Sequence, residues 1–539
     1  MSSDELTETA QIRSNEKKTL DEGVNVNVTE ASSVISSLYS EGEFDGVYLE
    51  KSRLLSEAIQ EIGMGKYQWQ LFVLAGFGWM ADNMWPIVTS LIVPQVALEF
   101  HPPDGRSPYL VLAQNLGLLA GAVFWSFSAD IVGRRWAFNL TFLITGVWGL
   151  VAGSSPNFAA LGVFEAFWSF GVGGNLPVDS AIFLEALPGT HQYLLTVMSI
   201  WWSFGQLLAN FVAWGVISNY SCPKDGPCPR SSNMGWRYLL FTIGGVSIIC
   251  FLSRFVLFSL FESPKYYLSR GQDEKAVEVI HKIAAVNKKT VSLTIEHLQA
   301  VERQYARDAQ ETSAEVGIVH DTSTKGIIKE RLGQFRLNHI REAFGTKKLA
   351  LSTSLVVLVW ALIGLAFPLY NAYLPYFLSN RTFYNEPTPI HIVYRNSTII
   401  AVLGIPGALL AGLLVELKIG RKGAMSVSTI LTGVFLFAST TAKSSNALLG
   451  WNCAYNFCSN IMYGVLYAYT PEIFPARIRG TAIGMAASAN RVLGVFSPII
   501  AIFANLNTSS PVYASGALFL VAGLIMLAFP YEPRGKASL

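Results

Sequence analysis

The sequence predicts an all-α membrane protein in which twelve transmembrane helices form two pseudo-symmetric six-helix bundles. Three observations carry that expectation. The 539-residue chain is 51% hydrophobic and only 14% charged, whereas soluble globular proteins carry about 25% charge. Several apolar runs exceed the roughly 20 residues that cross a bilayer as a helix. A loop signature also recurs. Ser128-Ala-Asp-Ile-Val-Gly-Arg-Arg135 and Val415-Glu-Leu-Lys-Ile-Gly-Arg-Lys422 each set an acid, then Gly and two cations, between long apolar segments. A repeated loop in so apolar a chain implies two homologous membrane halves.

The elements follow in order. Residues 1–66 read as a cytoplasmic tail. Its first part, to about residue 47, is rich in Ser, Glu, Asn and Thr and is expected to be disordered. Residues 48–62 have helical periodicity and read as a short amphipathic helix at the membrane interface. The first apolar run begins only after this polar segment, so no cleavable signal peptide is expected. Residues 67–261 hold six spans, near 70–95, 108–129, 136–154, 159–186, 194–217 and 237–260. Residues 348–530 hold six more, near 349–371, 394–415, 424–441, 447–469, 482–505 and 512–529. Between them, 262–347 is a charged linker with a helix from Gln272 to Val286 and a polar, mobile remainder, and 531–539 is a short tail.

Charge sets the orientation. Most of the 39 Lys and Arg residues lie on the side that holds the N-terminus, so both termini and the linker are cytoplasmic. The outer loop after span five then carries Cys222 and Cys228, a candidate disulfide away from the reducing cytosol, with two free thiols as the alternative. Asn219, Asn380 and Asn507 begin sequons in outer loops and are candidate glycosylation sites, although such tripeptides also arise by chance. The five cysteines include no Cys-x-x-Cys pair, so no metal or cofactor is expected. A net charge of +2 gives no reason to expect nucleic acid.

Three signatures recur in the same order in both halves. Asp130, Gly133, Arg134 and Arg135 follow span two, as Glu416, Gly420 and Arg421 follow span eight. Glu185-Ala-Leu-Pro ends span four and Glu472-Ile-Phe-Pro, with Arg479 beyond, ends span ten. Glu262-Ser-Pro-Lys ends span six and Glu532-Pro-Arg ends span twelve. These acids and cations form an expected cytoplasmic gate, bridging the bundles when it is shut and parting when they rock. The plainer reading is topology anchoring by cations.

These residues resemble the major facilitator superfamily over residues 66–535. Asp130-x-x-Gly133-Arg134-Arg135 resembles its cytoplasmic signature. Glu262-Ser-Pro-Lys265-Tyr and Glu472-x-x-Pro475-x-x-x-Arg479-Gly480 resemble the sugar-porter-type branch. Ile62-Gly-Met-Gly-Lys-Tyr-Gln68 and Gly171-Val-Gly-Gly174 resemble the synaptic-vesicle-2-related subgroup, and Gly173-Gly-Asn-Leu-Pro-Val-Asp179 its fungal members. The resemblance implies the major facilitator fold and secondary active transport of a small organic solute by alternating access, with import and efflux equally served. There are departures. Ser126 stands where Gly is usual, the second loop has an additional residue between Glu416 and Gly420, and Gln192-Tyr193 replaces Arg-Gly. A weaker first-half gate is therefore expected. Glu165 stands where this branch carries Arg.

Ionisable groups inside spans are costly and usually functional. Asp82 lies mid-span, and Pro86 four residues on removes the helix bond to its carbonyl. It is the first candidate for proton coupling, the alternative being an Asp held by a structural Arg. Glu165 and Asp179 share one face of span four and are further candidates. Arg491 pairs with Asp82 or Asp179, or binds an anionic solute group, while Arg254 is placed to snorkel. Polar stripes on spans five and ten include Gln206, Asn210, Asn456 and Asn460. With Trp85 and Asn371 these are cavity candidates, interhelical hydrogen bonding being the alternative. No Gly-x-x-x-x-Gly-Lys-[Ser/Thr] loop is present, which disfavours an ATP-driven pump, and no nucleophile–base constellation suggests an enzyme. Expected partners are a solute, protons and the lipid bilayer, for a monomer in the plasma membrane or alternatively a vacuolar or vesicular one. The rival function is a transport-inactive receptor or sensor.

Overall fold

The computed structural model describes residues 46–102, 106–191, 194–222, 228–257, 260–268, 270–311, 343–380, 382–383, 386–414, 419–474, 476–503 and 508–531. A helix α1 (Gly46–Ile62) precedes the first bundle. That bundle comprises α2 (Lys66–Phe100), α3 (Tyr109–Val132), α4 (Arg134–Ala152), α5 (Phe158–Ala186), a single turn α6 (Leu194–Val197) leading into α7 (Ile200–Val216), and α8 (Gly235–Leu252). The linker contributes α9 (Pro264–Leu268), α10 (Asp273–Val286) and α11 (Ile295–Glu311). The second bundle comprises α12 (Lys347–Asn371), the short α13 (Leu374–Asn380), α14 (Ile390–Leu414), α15 (Gly420–Thr440), α16 (Ser445–Glu472), α17 (Ala476–Phe503) and α18 (Ser510–Leu527). A two-residue ladder pairs β1 (Thr382–Phe383) with β2 (Glu386–Pro387) between α13 and α14, a small addition to the expected all-helical chain.

Seven of these helices are long and apolar enough to cross a bilayer on composition alone: α2, α8, α12, α14, α15, α17 and α18. Three of the other long helices fall short for visible reasons. α5 buries two acids and an asparagine, α16 carries its Asn–Tyr stripe, and α7 has 17 residues. Capping fixes several starts: Asn157 accepts from the Ala160 N–H at 2.8 Å and Thr346 from the Leu349 N–H at 3.2 Å. Pro86, Pro177 and Pro406 lie inside α2, α5 and α14, as membrane helices tolerate.

The two halves pack alike. In the first, α2 packs on α7, α3 on α5 and α4 on α8; in the second, α12 packs on α17, α14 on α16 and α15 on α18. These are the same span pairings offset by six. The bundles meet along α7–α14 and α3–α17, which the same offset also relates. Apolar packing between bundles is uneven. One buried cluster spans both, joining α2 from Met80 to Val96 with Tyr373, Tyr394 and Ala501, toward the end that charge assigns to the outside. Toward the cytoplasmic end the bundles keep separate clusters, and Tyr463 and Tyr467 pack against both.

α1 turns its apolar face to protein rather than leaving it free for lipid. Its apolar face (Leu55, Ile59, Ile62) is buried in a cluster with Ile280 and Ile283 of α10 and Leu298 of α11. Lys51 donates to Asp273 and Glu302. Burial alone would lower the Lys51 ammonium, but those two carboxylates hold it above the usual lysine range. Asn287 fixes the module to the start of α2, accepting from the Tyr67 N–H at 2.9 Å and donating to Gln68 Oε1 at 2.8 Å. The linker after Val286 was therefore misjudged as polar and mobile as far as Glu311. Leu298 and Val301 make α11 amphipathic enough to dock.

Candidate functional site at the bundle interface

α2 and α17 bring Asp82 and Arg491 together across the bundles, Arg491 Nη2 donating to Asp82 Oδ1 at 2.8 Å. The side chains keep 10% and 21% of their exposure, so the pair borders open space rather than packed core. Aromatic rings wall the cytoplasmic side of this pair. Trp79 stacks on Trp202 with centroids 4.8 Å apart, and Tyr467 meets Trp202 at 4.5 Å and Trp360 at 4.7 Å. The Trp79 and Trp202 indole N–H groups are buried without acceptors. Polar groups complete the wall: Ser203 donates to Asn460 Oδ1 at 3.2 Å between the bundles, and Gln206 Nε2 to Asn83 Oδ1 at 3.0 Å.

Other sequence candidates fall elsewhere. Asp179 pairs with Arg254, not Arg491, deep in the first bundle where both side chains are fully buried. Arg254 does not snorkel. It starts a helical irregularity at Ser253–Leu257 and donates to the Leu74 carbonyl at 2.9 and 2.7 Å and to the Phe138 carbonyl at 2.8 Å. Trp85 does not line the cavity: it packs on Trp168 in a tilted contact at 5.1 Å and donates to Ser247 Oγ at 3.3 Å inside the first bundle. Asn456 donates to the Ile400 carbonyl at 2.8 Å within the second bundle. Asn371 donates to the Tyr455 hydroxyl, and Asn210 to the Gln206 carbonyl at 2.8 Å. Glu165 is fully buried and accepts from Thr89.

A seal missed by the sequence closes the outer end. Ser90 donates to the Asn371 carbonyl at 2.8 Å, Tyr394 to the Leu91 carbonyl at 2.8 Å, and Thr398 to the Asn210 carbonyl at 3.1 Å. Each joins the two bundles. The acceptors are backbone, so no side-chain pattern announces them. Beyond the seal, Cys222 and Cys228 form a disulfide and Asn219 is exposed.

At the cytoplasmic end both motif glycines take left-handed backbone, Gly133 at φ +113° and Gly420 at φ +67°. That turn reverses the chain between spans and aims the following arginine inward. Arg134 pairs with Glu185, and Arg421 with Glu472, where Nη2 to Oε1 is 3.0 Å. Both pairs lie within one bundle. In the first half Glu262 also accepts from the Arg134 and Arg135 N–H groups at 3.0 and 3.2 Å, capping α4, and Ser263 donates to Glu185 at 2.5 Å. The first-half network is thus well furnished despite its departure at Gln192. Gln192, Glu416 and Asn507, and the side chains of Asp130, Asn380 and Arg479, lie outside the described residues.

Two matched bundles around a polar, aromatic-walled midplane define a multi-pass membrane transporter. Comparison with known proteins agrees: the family described as "Sugar (and other) transporter" matches residues 69–532. The chain belongs to that family of the major facilitator superfamily, whose members are transporters and not enzymes. It is 60% identical to an uncharacterized MFS-type transporter of Schizosaccharomyces pombe, over 93% of this chain and 91% of the relative. It is 53% identical to MFS siderochrome iron transporter 1 of Ceriporiopsis subvermispora, over 93% of this chain and 94% of the relative. Among solved structures, the partially occluded inward open xylose transporter XylE from E. coli matches with TM-score 0.62 at 16% identity, covering 87% of this chain and 100% of that one. That last likeness is one of fold.

Proposed function

We propose that this chain carries a small organic solute by alternating access, driven by protons, with Asp82 and Arg491 as the coupling pair. The observation that carries this reading is the Asp82–Arg491 bridge, which ties one bundle to the other beside open space. When Asp82 takes a proton the charge attraction is lost, the bundles lose a tie, and Arg491 is released to hold an anionic group of the solute. The Trp79, Trp202 and Tyr467 rings offer faces for an apolar or ring-bearing part, and Gln206 and Asn460 offer hydrogen bonds. The outer seal and the divided inner clusters favour a state facing the cytoplasm. The plasma membrane and a monomer are the proposed setting.

The test uses purified protein in liposomes that enclose a pH-reporting dye. A panel including siderochromes, sugars and organic acids is applied under an imposed pH gradient. The expected result is solute-dependent proton flux with at least one class. Silence across the panel would support the transport-inactive sensor instead.

A further inference from the structure

Three consecutive residues of α2 act at one level of the outer gate. Ser90 and Leu91 carry two of the three hydrogen bonds of the seal. Thr89 turns the other way and donates to Glu165 Oε1. Glu165 is fully buried, and its Oε2 has no partner. From the second bundle, Tyr373 is likewise fully buried with an unpartnered hydroxyl, within electrostatic reach of Glu165. Two orphaned polar groups from opposite bundles thus sit beside the seal.

The charges around Glu165 are already committed. On α5, Asp179 pairs with Arg254 and Glu185 with Arg134, both toward the cytoplasmic end. On α2, Asp82 pairs with Arg491 and Glu99 with Arg237. α3 and α4, which also pack on α5, carry only Asp130, Arg134 and Arg135, all at the cytoplasmic end. Tyr373 is the titratable group facing Glu165 from the second bundle. A carboxylate removed from water with no cation beside it is strongly disfavoured. The enclosed site therefore suits the neutral acid.

We propose that Glu165 is a proton latch on the outer gate: the seal between the bundles closes over Glu165 only when that carboxyl is protonated. Opening the seal lets water reach the carboxyl, which releases its proton to the outer solution. Closing takes a proton back from the same side, so no other reactant is needed. The ratio of closed to open protein then falls by up to about tenfold per pH unit above the open-state value of the carboxyl. The latch deepens the proton-driven reading above but is tested without a solute.

The experiment places nitroxide labels at Ser154→Cys, in the loop after α4, and Asn446→Cys, in the first turn of α16, both exposed at the outer end of opposite bundles, in the full chain in lipid nanodiscs. The native thiols do not compete, since Cys250, Cys453 and Cys458 are buried and Cys222 is bonded to Cys228. Inter-label distances are read at pH 5 and pH 8. A long-distance, outward-open population that grows severalfold at pH 8 is expected, with Glu165→Gln holding the short distance at both pH values. Asp82→Asn, which leaves Glu165 in place, is expected to keep the shift. Tyr373→Phe, which removes the polar group that the second bundle sets near Glu165 but no charge, is expected to change the open population severalfold at pH 5 and serves if Glu165→Gln does not fold. Distances insensitive to pH, a shift that survives Glu165→Gln, a shift abolished by Asp82→Asn, or a silent Tyr373→Phe would each overturn the latch. A pH shift without solute flux in the liposome assay would instead indict the transport reading and leave the latch standing.

Discussion

Asp179–Arg254 and Asp82–Arg491, two of the acid–arginine pairs among the described membrane helices, differ in what they join. Asp179–Arg254 is enclosed in the first bundle, with both side chains at 0% exposure. Its arginine also satisfies two backbone carbonyls and lies over the Phe138 and Phe142 rings at 3.7 and 4.3 Å. Asp82–Arg491 has one short contact, keeps partial exposure, and spans the bundles. The chemistry is the same, yet only the second pair can exchange its partner without tearing a core. A saturated pair within a bundle is architecture; a sparingly bonded pair between bundles is a switch.

The largest expected effect separates the two directly. Asp179→Asn leaves Arg254 charged and uncompensated in a packed core, at a cost of about 3–5 kcal/mol. Thermal unfolding in detergent should show a large drop in Tm with loss of folded yield. A stable but transport-dead Asp179→Asn protein would break the comparison, since it would make the inner pair functional. Asp82→Asn, by contrast, should lower Tm less, because this pair keeps partial exposure and Arg491 can be rehydrated in part.

Much of this was legible in the chain. The two halves, the spans and the repeated cytoplasmic loops follow from apolar runs and Gly–Arg signatures, and Gly133 and Gly420 both take positive φ. Arg491 was readable as a group in need of an acid, but which acid was not: Asp82 and Asp179 are equivalent on the page, and helix rotation alone decides between them. Arg254 could not be placed from the span boundaries, because its burial rests on partners far off in sequence, the Leu74 and Phe138 carbonyls and Asp179. The outer seal was invisible because its acceptors are the carbonyls of Leu91, Asn210 and Asn371.

Smaller effects sharpen the contrast between the halves. Gly133→Ala forces a side chain to adopt φ +113° and sets its Cβ 2.7 Å from Glu262 Oε2, where it disturbs the cap on α4. A loss of about 1–3 kcal/mol is expected, against about 1–2 kcal/mol for Gly420→Ala at φ +67°. Paired Tm measurements check the difference, and equal losses would argue against a special role for Glu262. Lys51→Ala should cost about 1 kcal/mol, since its partners Asp273 and Glu302 can be rehydrated. Its effect should appear as faster hydrogen exchange across residues 46–62. Because the Lys51 ammonium is held above its ordinary value, its contribution is fully present below the unfolded lysine pKa and fades only as pH rises through the higher folded one. Protection of α1 arising from this clamp should therefore be flat between about pH 6 and 8.

The central claim is that the inter-bundle bridge couples protons to solute. Its most direct test is Asp82→Asn in liposomes, comparing pH-gradient-driven accumulation with solute exchange at equal pH. The account predicts that accumulation is lost while exchange persists, because the bundles can still rock once no proton is required. Accumulation equal to that of the unsubstituted chain would contradict it.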